Sequence, residues 1–103
     1  MTPRRAARTD SNHAEIRDAA RRAGYYWVDT FQLGGGFPDA ICVSKTHIPV
    51  MVEIKSPGEK LTPAEKKFRQ NYPGPYCIVY SSGDLLEVMD AWDRRDIETI
   101  AIG

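Results

Sequence analysis

Residues 48–55, IPVMVEIK, constrain the fold of this chain more than any other stretch. Val and Ile dominate the run, which favours a strand. Side chains alternate faces along a strand, so Val50, Val52 and Ile54 share one face while Glu53 and Lys55 share the other. An acid and an ammonium two residues apart therefore project together from an otherwise apolar strand. Residues 39–44, DAICVS, read as the preceding strand, with Asp39 at its start behind Pro38, a position where proline is tolerated. If Lys45, Thr46 and His47 join the two strands as a hairpin, Asp39 approaches Glu53. His47 at that turn reads as solvated.

Two carboxylates and a lysine on neighbouring strands suit metal-assisted phosphodiester hydrolysis. Mg²⁺ takes oxygen ligands, keeps several waters, and commonly uses one or two carboxylates plus substrate phosphate oxygens. A lysine beside such an ion orients or deprotonates a water, or offsets charge on the phosphate. The same residues have a plainer reading. Turns of this kind precede many strands, and Glu and Lys at i, i+2 are common on solvated strand faces.

Pro38-Asp39 followed by Glu53-x-Lys55 resembles the PD-(D/E)xK nuclease superfamily. The glycine-rich lead-in GGGFPD, the helix start Leu61-Thr62-Pro63, and Asn12-His13-Ala14-Glu15 in a leading helix together look like the virus-type replication-repair nuclease (VRR-NUC) domains. Archaeal Holliday-junction resolvases are similar in layout. The resemblance covers roughly residues 10–90. It implies an α/β, restriction-endonuclease-like fold, with a mixed central β-sheet flanked by helices. It also implies Mg²⁺ as cofactor, with Mn²⁺ as substitute, held by Asp39, Glu53 and the backbone carbonyl of Ile54. Lys55 is then the catalytic lysine, and Glu15 a third acidic residue serving the reaction or a second ion. The expected partner is DNA, branched for preference, cut by a homodimer in the cytoplasm of a bacterial or phage-infected cell. Alternatives from other classes are a catalytically inactive DNA-binding or interaction module keeping the fold, and a purely structural α/β domain.

Along the chain, residues 1–9 read as a disordered basic arm and 10–103 as one nuclease-like domain. Residues 11–23 read as a helix capped by Asp10, Ser11 or Asn12 and ended by Gly24. Ile16, Ala19, Ala20 and Ala23 form its apolar stripe. Glu15, at the edge of that stripe, has two readings. It points across the sheet toward Asp39 and Glu53, or, with Asn12 as N-cap, it bonds back to the cap. His13 reads as a surface or supporting residue. Residues 25–31 read as a strand, and Gly34, Gly35 and Gly36 as a connection permitting close backbone approach. No GK[ST] follows them, so they are not a P-loop.

Thr62, Pro63 and Glu65 spell a capping box opening a second helix, and Glu65 reads as a cap. Leu61, Ala64, Phe68 and Tyr72 form its buried side, with a core role for Phe68 and Tyr72 preferred over base stacking. Lys66, Lys67 and Arg69 face solvent or DNA. Residues 76–80 read as a strand running parallel to a hairpin strand, because a helix separates them. A helix at 84–94 follows, then a short strand or interface segment at 97–102. The apolar residues at 25–27, Trp92 and 97–102 are the expected dimer interface.

Net charge is zero across 103 residues, which argues against avid DNA binding by charge alone. The distribution is uneven, with a basic excess in 1–22 and 55–69 and an acidic one in 83–103. Cys42 and Cys77 read as reduced, buried small hydrophobes, and two cysteines exclude a Cys-rich zinc site. No apolar run approaches the ~20 residues of a membrane span, and no secretory h-region follows the basic start.

Overall fold

The alternating stretch becomes the third strand of a four-stranded sheet. A computed structural model describes residues 3–94, with side chains from residue 12 onward. Helix α1 (Pro3–Arg22) leads into β1 (Tyr26–Asp29), a single 3-10 turn (Phe31–Leu33), β2 (Ala40–Val43) and β3 (Pro49–Ile54). Helix α2 (Pro63–Asn71), β4 (Tyr76–Val79) and α3 (Ser82–Arg94) complete the order. The strands lie side by side as β1-β2-β3-β4. The first two pairs are antiparallel and β3–β4 is parallel, as the helical crossover between them requires. The architecture is thus α/β, with a mixed sheet flanked by helices.

One face of the sheet makes the core. Trp27, Ala40, Cys42, Val50, Val52, Ile54, Cys77 and Val79 meet Ile16 and Ala20 of α1 and Leu85 and Met89 of α3. Both cysteines are free and buried, and burial pushes each thiol up to about 12. The second face carries the row Ile41, Met51 and Tyr76, together with Glu53. Helix α2 lies over it, with Phe68 5.1 Å from Phe37 and 6.2 Å from Tyr76 between ring centroids. No residue of α2 is fully buried.

Several expectations change. The backbone is helical through residues 3–9, where the sequence reading has a disordered arm. Ala and Arg are good helix formers there, and Pro3 is tolerated in a first turn. Asn12 therefore lies inside α1, and Glu15 is not a capping-box residue. Tyr25 and Trp27 belong to the core, so they are not spare surface for a dimer; between them Tyr26 stands 69% exposed. Ala64 is exposed, and Phe68 and Tyr72 are half-buried beside the core rather than in it. Segment 97–102 lies outside the described residues. Among the described residues, no helix is long and apolar enough to cross a membrane.

The glycine loop touches α2 directly. Gly36 has φ +85°, and a Cβ there would fall inside contact distance of the Ala64 carbonyl. Both the conformation and the space demand glycine. Gly36→Ala is expected to destabilise the protein by about 1–3 kcal/mol and to shift α2, read as a lowered denaturant midpoint. Gly34→Ala has positive φ but nothing within 4 Å, so its midpoint should fall by less.

Candidate active site

Asp39 is positioned by its neighbours on three sides. Pro38 is fully buried before it. Thr30, just past β1, clamps the segment: its amide donates to the Asp39 carbonyl at 2.8 Å and its hydroxyl to the Pro38 carbonyl at 2.9 Å. The Asp39 side chain then accepts the Ile54 amide at 2.8 Å through Oδ2. This bond holds the carboxylate at the junction of β2 and β3. Burial raises the carboxyl above its usual range, and the charge of Glu65 adds to this, while the Ile54 amide and nearby His13 work against it.

Glu53 projects from β3 on the face opposite Val52 and Ile54, as alternation dictates. It is 2% exposed. Burial first, then the charges of Asp39 and Glu65, push its carboxyl up to about 9, against the opposing pull of Lys55. With the Asp39 charge raising Glu53 in this way, the two carboxylates do not readily ionise together. Glu53 Oε1 has no hydrogen-bond partner, and among the described residues no other buried side-chain oxygen or nitrogen shares that condition. A buried acceptor without a donor is costly.

Lys55 continues the same face, 5% exposed. Its Nζ lies 2.7 Å from Glu65 Oε1, 3.5 Å from Glu59 Oε2 and 3.8 Å from Glu53 Oε2. Burial works to lower its pKa, but the Glu65 bond and the three carboxylate charges outweigh burial and hold it above the usual lysine value. Lys55 is therefore a fixed ammonium, able to orient and to offset charge, and poorly suited to deprotonating water.

Glu65 does more than cap its helix, the role its sequence position predicts. The capping box is present, with the Glu65 amide donating to Thr62 Oγ1 at 3.2 Å and the Thr62 amide to Glu65 Oε1 at 2.9 Å. The same Oε1 also accepts from Lys55. Burial opposes its ionisation, but the Lys55 and Thr62 bonds prevail and hold its pKa low. The sequence carries a signal for this: a capping glutamate is fixed in direction, and a short loop folds its helix back over the end of β3, next to Lys55.

From α1, the structure brings His13 rather than Glu15 toward this cluster. Glu15 is exposed, and its backbone carbonyl accepts from the Ser82 hydroxyl at 3.4 Å. It takes no part in the contacts joining Asp39, Glu53, Lys55 and Glu65, contrary to the expectation that it points across the sheet. His13 is 5% exposed and donates through Nε2 to Asp29 Oδ1 at 2.7 Å. The same oxygen accepts Trp27 Nε1–H at 2.8 Å. Burial works against the Asp29 charge, but these two donors hold its pKa below the usual range. Helical spacing explains the exchange. His13 stands three and seven residues before Ile16 and Ala20 on the buried stripe, while Glu15 is turned about 200° from His13.

The donor set fits a hard divalent cation. Two carboxylates converge, one oxygen lacks any partner, and negative charge is in excess of what Lys55 offsets. Among the described residues, no group of three His, Cys, Asp or Glu side chains is placed to hold an ion. Two protein carboxylates with water and phosphate oxygens is the pattern that suits Mg²⁺ rather than a closed site. Ile54 enters this geometry through its amide. Comparison with protein-family models, with curated proteins and with solved structures found no match.

Proposed function

We propose that this chain is a Mg²⁺-dependent DNA endonuclease with a restriction-endonuclease-like fold. The observation that carries the reading is the half-buried Asp39 paired with the buried Glu53 and its unpartnered oxygen, set beside the fixed Lys55 ammonium. Asp39 and Glu53 would hold the ion, with the Ile54 carbonyl as a further ligand. The ion supplies a more acidic water and neutralises charge on the scissile phosphate. Asp39, locked by the Ile54 amide, would fix where the ion sits. Glu53 releases its proton when a cation replaces it. Lys55 directs its positive charge at the phosphate from the same strand face, and Glu65 keeps that ammonium in place. Branched DNA as substrate and a homodimer as the working unit extend this reading, on the resemblance to junction resolvases.

A cleavage assay on linear, flap and four-way-junction DNA tests the proposal. Mg²⁺ and Mn²⁺ are expected to support cutting. Ca²⁺ is expected to bind yet support little, because its looser shell aligns water and phosphate poorly. Full activity in EDTA would remove the mechanism. Because Glu53 surrenders a proton on binding, Mg²⁺ affinity should rise up to about tenfold per pH unit below about 9. Calorimetry in buffers of different ionisation enthalpy reads that proton directly.

A further inference from the structure

The glycine loop and α2 flank an open cleft of about 550 Å³, lined among others by Gly35, Lys67, Phe68, Asn71 and Tyr72. That size falls within the roughly 300–1,000 Å³ of small-ligand clefts. Its aromatic wall is ordered: the Phe68 and Tyr72 rings stack with centroids 5.3 Å apart and planes at 21°. Neither ring belongs to the core cluster; Phe68 seats α2 on Phe37 and Tyr76, and both rings stay half-exposed. The lining includes the exposed Lys67 and Asn71 and no acidic side chain. Lys66 and Arg69, on the same helix, are also exposed. An apolar aromatic wall with an amide and cations at its rim is complementary to a base on a polyanionic strand.

We propose that this pocket receives one unpaired base of single-stranded DNA. The base stacks on the Tyr72–Phe68 pair, Asn71 meets its edge, and Lys67 meets the adjoining phosphate. The proposal deepens the nuclease reading and rests on it for the strand's destination. The pocket lies between two segments that lead straight to the site. Gly35 precedes Asp39 on one loop, and Ala64, also in the lining, precedes Glu65 on α2. A strand anchored there runs its backbone past Asp39 and Glu53. A paired, stacked base in a continuous duplex cannot enter, so the pocket favours flaps and splayed ends over linear duplex.

The test uses the full chain in EDTA, where cutting is absent, with a short single strand carrying 2-aminopurine at one internal position. Binding should quench the 2-aminopurine emission, and the single strand should bind more tightly than a blunt duplex of the same sequence. Tyr72→Leu keeps apolar volume but loses the ring. It should remove the quench and weaken binding about ten- to a hundredfold. Asn71→Ala alters an exposed side chain and should weaken binding with the fold unchanged, which guards against a misfolded Tyr72 variant. Lys67→Ala should lower the salt dependence by about one phosphate contact and leave the quench of the bound strand in place. Unchanged emission at saturation, or equal binding by wild type, Asn71→Ala and Tyr72→Leu, overturns the proposal. Quenching without any Mg²⁺-dependent cutting keeps the pocket and defeats the nuclease reading; cutting without quenching does the reverse.

Discussion

Glu53→Gln is expected to leave the fold intact, abolish cleavage and raise the melting temperature of the metal-free protein. The catalytic loss should be on the order of 10³-fold or more, because the change removes charge that holds the ion stabilising the transition state. The gain in stability follows from the same carboxylate. Glu53 holds its proton up to about 9 in the folded protein, well above the unfolded chain. A raised carboxyl contributes stability that is fully present below its unfolded pKa of about 4.3 and is lost as pH rises through the folded value. Metal-free wild type should therefore melt at falling temperatures between those two limits. Glu53→Gln should flatten much of that slope, because glutamine has no proton to lose. Asp39, whose carboxyl is also raised, gives the same sign, so Asp39→Asn should flatten the remainder and likewise stop cutting. Calorimetric melts across that range, with and without Mg²⁺, measure both effects. Wild-type turnover in either variant removes that residue from the site.

Lys55→Met should lower the single-turnover rate about 10²–10³-fold at saturating metal, the span of a fixed group that offsets transition-state charge. Metal binding should survive, since the ammonium is no ligand and its removal leaves the carboxylates more negative. Glu65→Gln separates two roles that one oxygen combines. Glutamine still caps α2 but no longer pairs with the ammonium charge to charge. The rate should fall about ten- to a hundredfold, as for a displaced reacting group, and by less than in Lys55→Met. A wild-type single-turnover rate in Lys55→Met, with metal affinity collapsed, assigns the lysine to the ion instead.

The sheet was largely legible because its evidence is local. Val50, Val52 and Ile54 alternate with Glu53 and Lys55, and that pattern alone put the acid and the lysine together opposite the core. The capping box at Thr62 and Glu65, and the parallel β3–β4 pair, also follow from short-range rules. What escaped depends on angles between elements. Glu15 and His13 are two residues apart, yet the docking of α1 against β1 and α3 buries His13 and leaves Glu15 in solvent. Phe68 and Tyr72 have the spacing of a buried stripe, but α2 meets the sheet through ring edges and leaves an open pocket. Glu65 satisfies a local rule completely, and that rule says nothing of its second partner, ten residues back and just past β3.

Helix α2 contributes no fully buried residue. It is held by the rings around Phe68, the close approach of Gly36 and the Glu65–Lys55 pair. An element with so little buried surface opens to solvent at a free energy below that of global unfolding. Amide hydrogens of α2 should thus exchange faster than those of β2 and β3, and every such opening parts Glu65 from Lys55. On warming, the ammonium loses its anchor while the core between the sheet, α1 and α3 is still packed. The temperature at which Lys55 leaves its place is set by a nine-residue helix, not by the sheet that carries it.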